Sequence, residues 1–158
     1  MVNIQDSEEL LKDRSSLASS NGDKLELIFT GQKELMERYL PIAENHYEKV
    51  FGSKVRINPE AWKGSEGNLH TKVGNFLIKD MIDASIQELG EAIQTMKNWK
   101  AWKQTEMPTD SLHWKEEMID ALHFYVEACI LAGITAEELF DLYFKKHAVN
   151  KFRQDSKY

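Results

Sequence analysis

The sequence predicts an all-α fold, a helical bundle with two long antiparallel central helices. Three observations carry that expectation. Apolar residues recur near every 3.6 positions over two long stretches. Strand-like alternation is almost absent. Only three prolines and eight glycines occur among 158 residues, so little of the chain is forced into loop.

Taken in order, SEELLKDRSSLASSNGD (7–23) reads as a short, weak helix closed by a turn at Asn21-Gly22. KLELIFTGQKELMERYL (24–40) places Leu25, Ile28, Phe29, Leu35, Met36, Tyr39 and Leu40 at helical spacing, with a short strand over Leu25, Leu27 and Phe29 as the minor alternative. Pro41 is expected to kink or restart this helix. Gly52 to Gly67 reads as the main loop region. From Lys72, the stripe Phe76, Leu77, Met81, Ile82, Ile86, Leu89, Ile93 and Met96 predicts a long helix to about Trp99, with Lys97, Lys100 and Lys103 at its C-terminal end, where cations suit the helix dipole. MPTDS breaks the pattern, and Thr109 or Asp110 is the N-cap of a second long helix from about Leu112 to Leu131. Gly133 stops it. Thr135 to Glu138, TAEE, has capping-box spacing and opens a last helix through DLYFKKHAVNKF. The whole reads as one domain over 1–158, with 1–22 a peripheral N-terminal segment.

Composition narrows the partners. A net charge of −6 gives no basic field for gripping duplex nucleic acid, so any polyanionic ligand needs a local device. The single Cys129 excludes an internal disulfide, sits in an apolar run that suits a core position, and fits a reducing cytoplasm. The N-terminus is acidic and mixed, unlike a secretory signal. No apolar run approaches the roughly 20 residues needed to cross a bilayer, so no membrane partner is expected.

The chemistry-bearing pattern is a pair of carboxylate pairs. Glu88 and Glu91 in QELGEA lie three apart, as do Glu117 and Asp120 in EEMIDALHF, so each pair shares a helix face; Asp80, Asp83 and Glu116 are spares nearby. Antiparallel packing lets the two pairs meet. Four carboxylates facing one another without counter-charge repel strongly, and hard oxygen donors without thiolate point to Mg²⁺, or Mn²⁺ in its place. One ExxE alone is usually a solvated face; two pairs on adjacent helices weigh evenly against that. A di-iron carboxylate bundle is the other metal reading, since Asp120 and His123 are three apart, but that pattern wants Glu-x-x-His on two helices. A lone His123 is more often a packed or supporting histidine than a ligand.

Two basic flanks complement the acids. KNWKAWK (97–103) sets Trp99 and Trp102, able to stack on a base, among three lysines; the plain alternative is a helix end with Trp in the core. In YFKKHAVNKFRQDSKY (143–158), Lys146, Asn150 and Arg153 share one helix face and offer a cation, an amide and a guanidinium fork to phosphate oxygens, where an ordinary basic tail is the plain alternative. Acids holding metal and cations holding phosphates describe phosphoryl chemistry on a nucleotide. A carboxylate of the cluster, for which Glu88 is the choice, positions or deprotonates the attacking water, and no Ser/His/Asp or Cys/His set supports a covalent route.

These motifs, ELGE, KNWK, EEMIDALHF and the terminal Y-x-x-K-x-x-x-N-x-x-R-Q-x-x-x-Y, together resemble the all-α nucleoside triphosphate pyrophosphohydrolases, in particular the dimeric dUTPases and the phage dCTPase-dUTPases, over about Gln87 to Tyr158. The resemblance implies a MazG-like, dimeric dUTPase-like bundle that hydrolyses dUTP to dUMP and pyrophosphate. A dCTP, dual dCTP/dUTP or broader MazG-like dNTP activity is the alternative, and a non-catalytic helical regulatory protein is the alternative of another class. It implies Glu88, Glu91, Glu117 and Asp120 as Mg²⁺ ligands, Lys146, Asn150, Arg153 and Tyr158 as phosphate contacts, and Gln32 and Trp99 at the nucleoside. It implies a homodimer, in line with Trp- and Met-rich faces too extensive for one thin bundle to cover. Three positions depart from the family pattern: Lys157 where Gly commonly precedes the last Tyr, Met36 where a polar residue is usual, and Met96 where an aromatic is usual. The last two fall on the base side of the pocket.

Overall fold

The computed structural model describes residues 22–52 and 59–156; the expected helix over 7–23, most of the proposed peripheral segment, and Lys157 and Tyr158 lie outside them. The described residues form five α-helices and a 3-10 turn and contain no strand, which confirms the all-α class. Helix α1 spans Lys24–Phe51, α2 Pro59–Lys63, α3 Lys72–Thr95, α4 Ser111–Leu131 and α5 Ala136–Asp155, with the 3-10 turn over Glu66–His70. No single described helix is long and apolar enough to cross a membrane.

Local chemistry sets the boundaries. Asp23 caps α1 by accepting from Leu25 N–H at 2.8 Å. The helix then runs on through Pro41 to Phe51, so it does not restart at that proline, and the strand alternative for Leu25–Phe29 is excluded. Asp110, rather than Thr109, caps α4, its Oδ1 accepting from Leu112 and His113 N–H. Thr135 caps α5 through Glu138 N–H at 3.1 Å. Gly133 ends α4 in the left-handed conformation at φ 79°, which a side chain rarely adopts.

Helix α3 ends four residues earlier than its apolar stripe suggests. Met96 N–H tightens onto Ile93 C=O at 3.2 Å, Thr95 Oγ1 donates to Ala92 C=O, and Lys97 Nζ donates to Gln94 C=O, which together satisfy the terminal carbonyls. Asn98 then pairs with the backbone of Met107 in both directions, at 2.8 and 3.0 Å, and ties off the connection. Lys100, Trp99 and Trp102 therefore stand on this connection, not on the helix, and Lys97 alone of the three lysines serves the helix end directly.

The α3–α4 pair is the dominant packing in the molecule and is antiparallel. Ser85 Oγ donates to Ala121 C=O at 2.9 Å, while Glu88 and Glu91, further along α3, meet Glu117, earlier on α4. Phe29 and Met36 of α1, Trp62 of α2, Leu77 and Ile78 of α3 and the Val126–Leu131 end of α4 close the core, with Cys129 buried among them.

The stretch read as loop holds α2 and the 3-10 turn. Buried Asn68 fastens it: Nδ2 donates at 2.7 Å to both Ala61 C=O and Leu131 C=O. Asn68→Ala removes both bonds and leaves Ala61 and Leu131 C=O with only their backbone donors, Gly64 and Ser65 N–H, and is expected to cost about 1–3 kcal/mol of stability, read as a lower midpoint in urea unfolding.

Candidate active site

Helices α3 and α4 deliver three of the four predicted acids to one place. Single carboxylate oxygens of Glu88, Glu91 and Glu117 lie within 4.8 Å of one another, with Glu117 buried and the two α3 residues half-buried. The i,i+3 spacing on α3 and the antiparallel register of α4 produce this without distortion. Asp120 stands outside the compact trio and is exposed, yet close enough for its charge to act on Glu88. The Glu88 carboxyl is held above its usual range first by burial, then by Glu91, by its hydrogen bond with Glu117, and by the charges of Asp120 and Glu117. A cation between these acids would offset the part of that shift that comes from their mutual repulsion.

The donor set fits a hard divalent cation. It consists of carboxylate oxygens only, from two rigid helices, with no thiol or imidazole inside the trio. The spare acids are occupied elsewhere: Asp80 accepts from Tyr47 Oη at 3.0 Å, and Asp83 pairs with Lys79. Glu116 lies 3.9 Å from His113 Nδ1. That same nitrogen lies 3.2 Å from Glu117 Oε1, one turn before that buried carboxylate. His113 was not legible as a participant, although its place four residues before Glu117 is the signal that locates it.

A second polar group joins α1 to the later turns of α4. Gln32 of α1 is buried; its Nε2 donates to Glu127 Oε2 at 3.2 Å and its Oε1 lies 2.7 Å from His123 Nδ1. Tyr39 closes on the other oxygen of Glu127. Gln32, expected at the nucleoside, thus has both ends of its amide engaged inside the protein. His123, exposed on α4, meets the protein at this contact with Gln32. Glu127, 1% exposed, was missed, because a glutamate in an apolar run carries no sign of its partners.

Burial pushes the Glu127 carboxyl up from 4.5 to about 7, against the lowering effect of Gln32. The folded chain therefore keeps a proton that the unfolded chain loses. This stabilising contribution is complete below about pH 4.5, declines as pH rises, and is gone above about 7, a loss on the order of 3 kcal/mol. Thermal melts from pH 5 to 8 are expected to fall less steeply for Glu127→Gln than for the parent chain.

The nucleotide-facing candidates are less gathered. Trp99 is half-exposed on the α3–α4 connection, edge-on to Trp102 at 5.9 Å with Lys100 Nζ 5.4 Å above its ring. Trp102 is 73% exposed, against a core role. Lys146, Asn150 and Arg153 all lie exposed on α5, and no hydrogen bond or ion pair among the described residues joins them to the acidic trio. Tyr158 falls outside the described residues.

Comparison with known proteins decides the family. The dUTPase family profile matches residues 24–131, which is α1 through α4 with both acidic pairs. The chain belongs to this dUTPase family. The relatives include a dCTP pyrophosphatase of Enterobacteria phage LZ5, 37% identical over 98 residues, covering 50% of this chain and 57% of that protein. A dCTP pyrophosphatase of Enterobacteria phage T4 is 34% identical over 99 residues, 51% of this chain and 58% of the relative. A DNA replication protein of phage T4 is 33% identical over 93 residues, 46% of this chain and 24% of the relative. The chain thus spans little more than half of the two pyrophosphatases it matches. No solved structure matches the dUTPase-family chain significantly.

Proposed function

We propose that the chain is a divalent-cation-dependent pyrophosphohydrolase that cleaves pyrimidine deoxynucleoside triphosphates between the α and β phosphates, releasing the monophosphate and pyrophosphate. The observation that carries this reading is the carboxylate trio of Glu88, Glu91 and Glu117, with Asp120 beside it, inside the matched family span. dUTP is the first substrate to expect, from the family. dCTP stands second and is favoured by the two phage relatives named for it.

Glu91, Glu117 and Asp120 would hold Mg²⁺, or Mn²⁺ in its place, together with Glu88. When bound, the cation neutralises phosphate charge and makes a bound water more acidic. Glu88, the acid whose affinity for a proton the site raises, takes the proton from the attacking water. Lys146, Asn150 and Arg153 bind phosphate oxygens that the acids cannot approach, with Tyr158 as a further contact. Trp99 packs on the nucleoside, and Gln32 holds His123 on the side of the base. Both long helices are rigid, so the acids are in place before substrate arrives.

The test is a panel of dNTPs with pyrophosphate detection, with and without Mg²⁺. Turnover of dUTP, dCTP or both, dependent on the cation, is the expected result. Equal turnover of purine nucleotides would replace the pyrimidine reading with a broader MazG-like activity. An inert protein that binds no Mg²⁺-nucleotide in calorimetry would leave a non-catalytic regulatory scaffold.

A further inference from the structure

Glu127, Gln32 and His123 form one run of polar contacts that ends one turn from Asp120. Glu127 is 1% and Gln32 4% exposed. Gln32 Nε2 donates to Glu127 Oε2 at 3.2 Å, Gln32 Oε1 lies 2.7 Å from His123 Nδ1, and Tyr39 Oη donates to Glu127 Oε1. His123 and Glu127 are four residues apart on α4, so a single amide from α1 bridges them. His123 follows Asp120 by three residues, roughly 4.5 Å further along the helix. It is exposed, and among the described residues nothing engages its Nε2.

The run has a direction. A carboxylate offers only acceptors, so Glu127 obliges Gln32 to present its NH₂ group and to leave Oε1 for the histidine. A carbonyl oxygen has no proton to give, so His123 Nδ1 carries one. In a neutral imidazole that leaves a bare lone pair on Nε2, the reverse of the tautomer free histidine prefers in water. Tyr39 does not oppose this order, because a hydroxyl donates or accepts as its partner requires. An apolar side chain at position 127 would suit the surrounding apolar run, but it would leave the Gln32 amide free to turn over.

We propose that Glu127 is a specificity-determining positioning residue, which through Gln32 holds His123 in the Nδ1–H tautomer and so offers a substrate base an acceptor and not a donor. This rests on the pyrimidine reading above, in which His123 stands on the side of the base. Uracil and cytosine present opposite senses on their pairing edges. Uracil has a carbonyl where cytosine has an amine, and beside it an N–H where cytosine has a lone pair. A ring nitrogen of fixed sense therefore pairs with one base and opposes the other at either position. A site built for one sense rejects the other, since the mismatch leaves both groups unpaired.

Glu127→Gln keeps the shape of the side chain and removes its fixed sense, because an amide can face Gln32 with either end. At about pH 8.5, above the value of about 7 to which burial pushes Glu127, ¹⁵N–¹H correlation through the imidazole ring reads the tautomer directly. The parent is expected to hold the His123 proton on Nδ1, and the variant to gain a substantial Nε2–H population. The ratio of kcat/KM between dUTP and dCTP is expected to move roughly 3- to 10-fold towards unity, through KM more than kcat. A Glu127 that only docks α1 would change the melting temperature and leave both readouts where they were. A parent protonated on Nε2, a variant with the parent's tautomer, or a ratio unmoved by a changed tautomer overturns the proposal. A parent that turns over neither nucleotide counts against the proposed function instead, and the ring signal then decides the tautomer by itself.

Discussion

Glu88→Gln is expected to lower turnover of the preferred dNTP by about 10³-fold or more while leaving the fold intact. Glutamine matches the shape of glutamate, so α3 and α4 keep their packing. What disappears is one anionic ligand and the group placed to accept the proton of the attacking water. A structural role predicts the opposite pattern, a destabilised protein with residual activity in proportion to its folded fraction. Here the metal-free variant is expected to melt no lower than the parent, because Glu88 is held above its usual range first by burial and then by Glu91, Glu117 and Asp120, and a neutral glutamine is spared both effects. Steady-state pyrophosphate release beside a thermal melt in chelator separates the two. Near-parent turnover in a folded variant would remove Glu88 from the chemistry.

Gly64→Ala is the substitution expected to damage the fold most. Gly64 sits at φ 79°, and a Cβ there would stand 1.8 Å from Ile130 C=O, a backbone atom that cannot swing aside. The cost is expected to exceed about 3 kcal/mol, from left-handed strain together with the displaced packing. It reaches the site indirectly. Gly64 lets the 59–70 segment press on the end of α4, where Ser65 N–H and Asn68 Nδ2 both engage Leu131 C=O. Loosening that seat frees the C-terminal half of α4, and with it the Glu127–Gln32 bond. Urea unfolding measures the loss; a variant as stable as the parent would mean the segment packs differently.

Much of this was legible in the sequence for a physical reason: helices impose a period. The stripes on α1, α3 and α4, the caps at Asp110 and Thr135 and the stop at Gly133 are local effects, and each acts where the residues alone place it. The acid trio was legible because i,i+3 spacing fixes a shared face, and antiparallel packing needs only a connection that turns back. What stayed hidden depends on distant partners. Pro41 is absorbed without ending α1, whereas Thr95, Lys97 and Asn98 end α3 before its apolar pattern does. Asn68 and Glu127 are polar residues whose value lies in contacts 63 and 95 positions away. The shared face of Lys146, Asn150 and Arg153 was legible from their spacing, but the bend at which α5 leaves α4 is one that no local pattern encodes.

The central claim is that α3 and α4 form a divalent-cation site. Mn²⁺ titration followed by electron paramagnetic resonance tests it directly, since bound and free Mn²⁺ differ in signal and no nucleotide is needed. Saturable binding by the parent chain, weakened at least tenfold in Glu91→Gln and in Glu117→Gln, is the predicted result. No binding by the folded parent, or binding that neither substitution changes, would contradict the account.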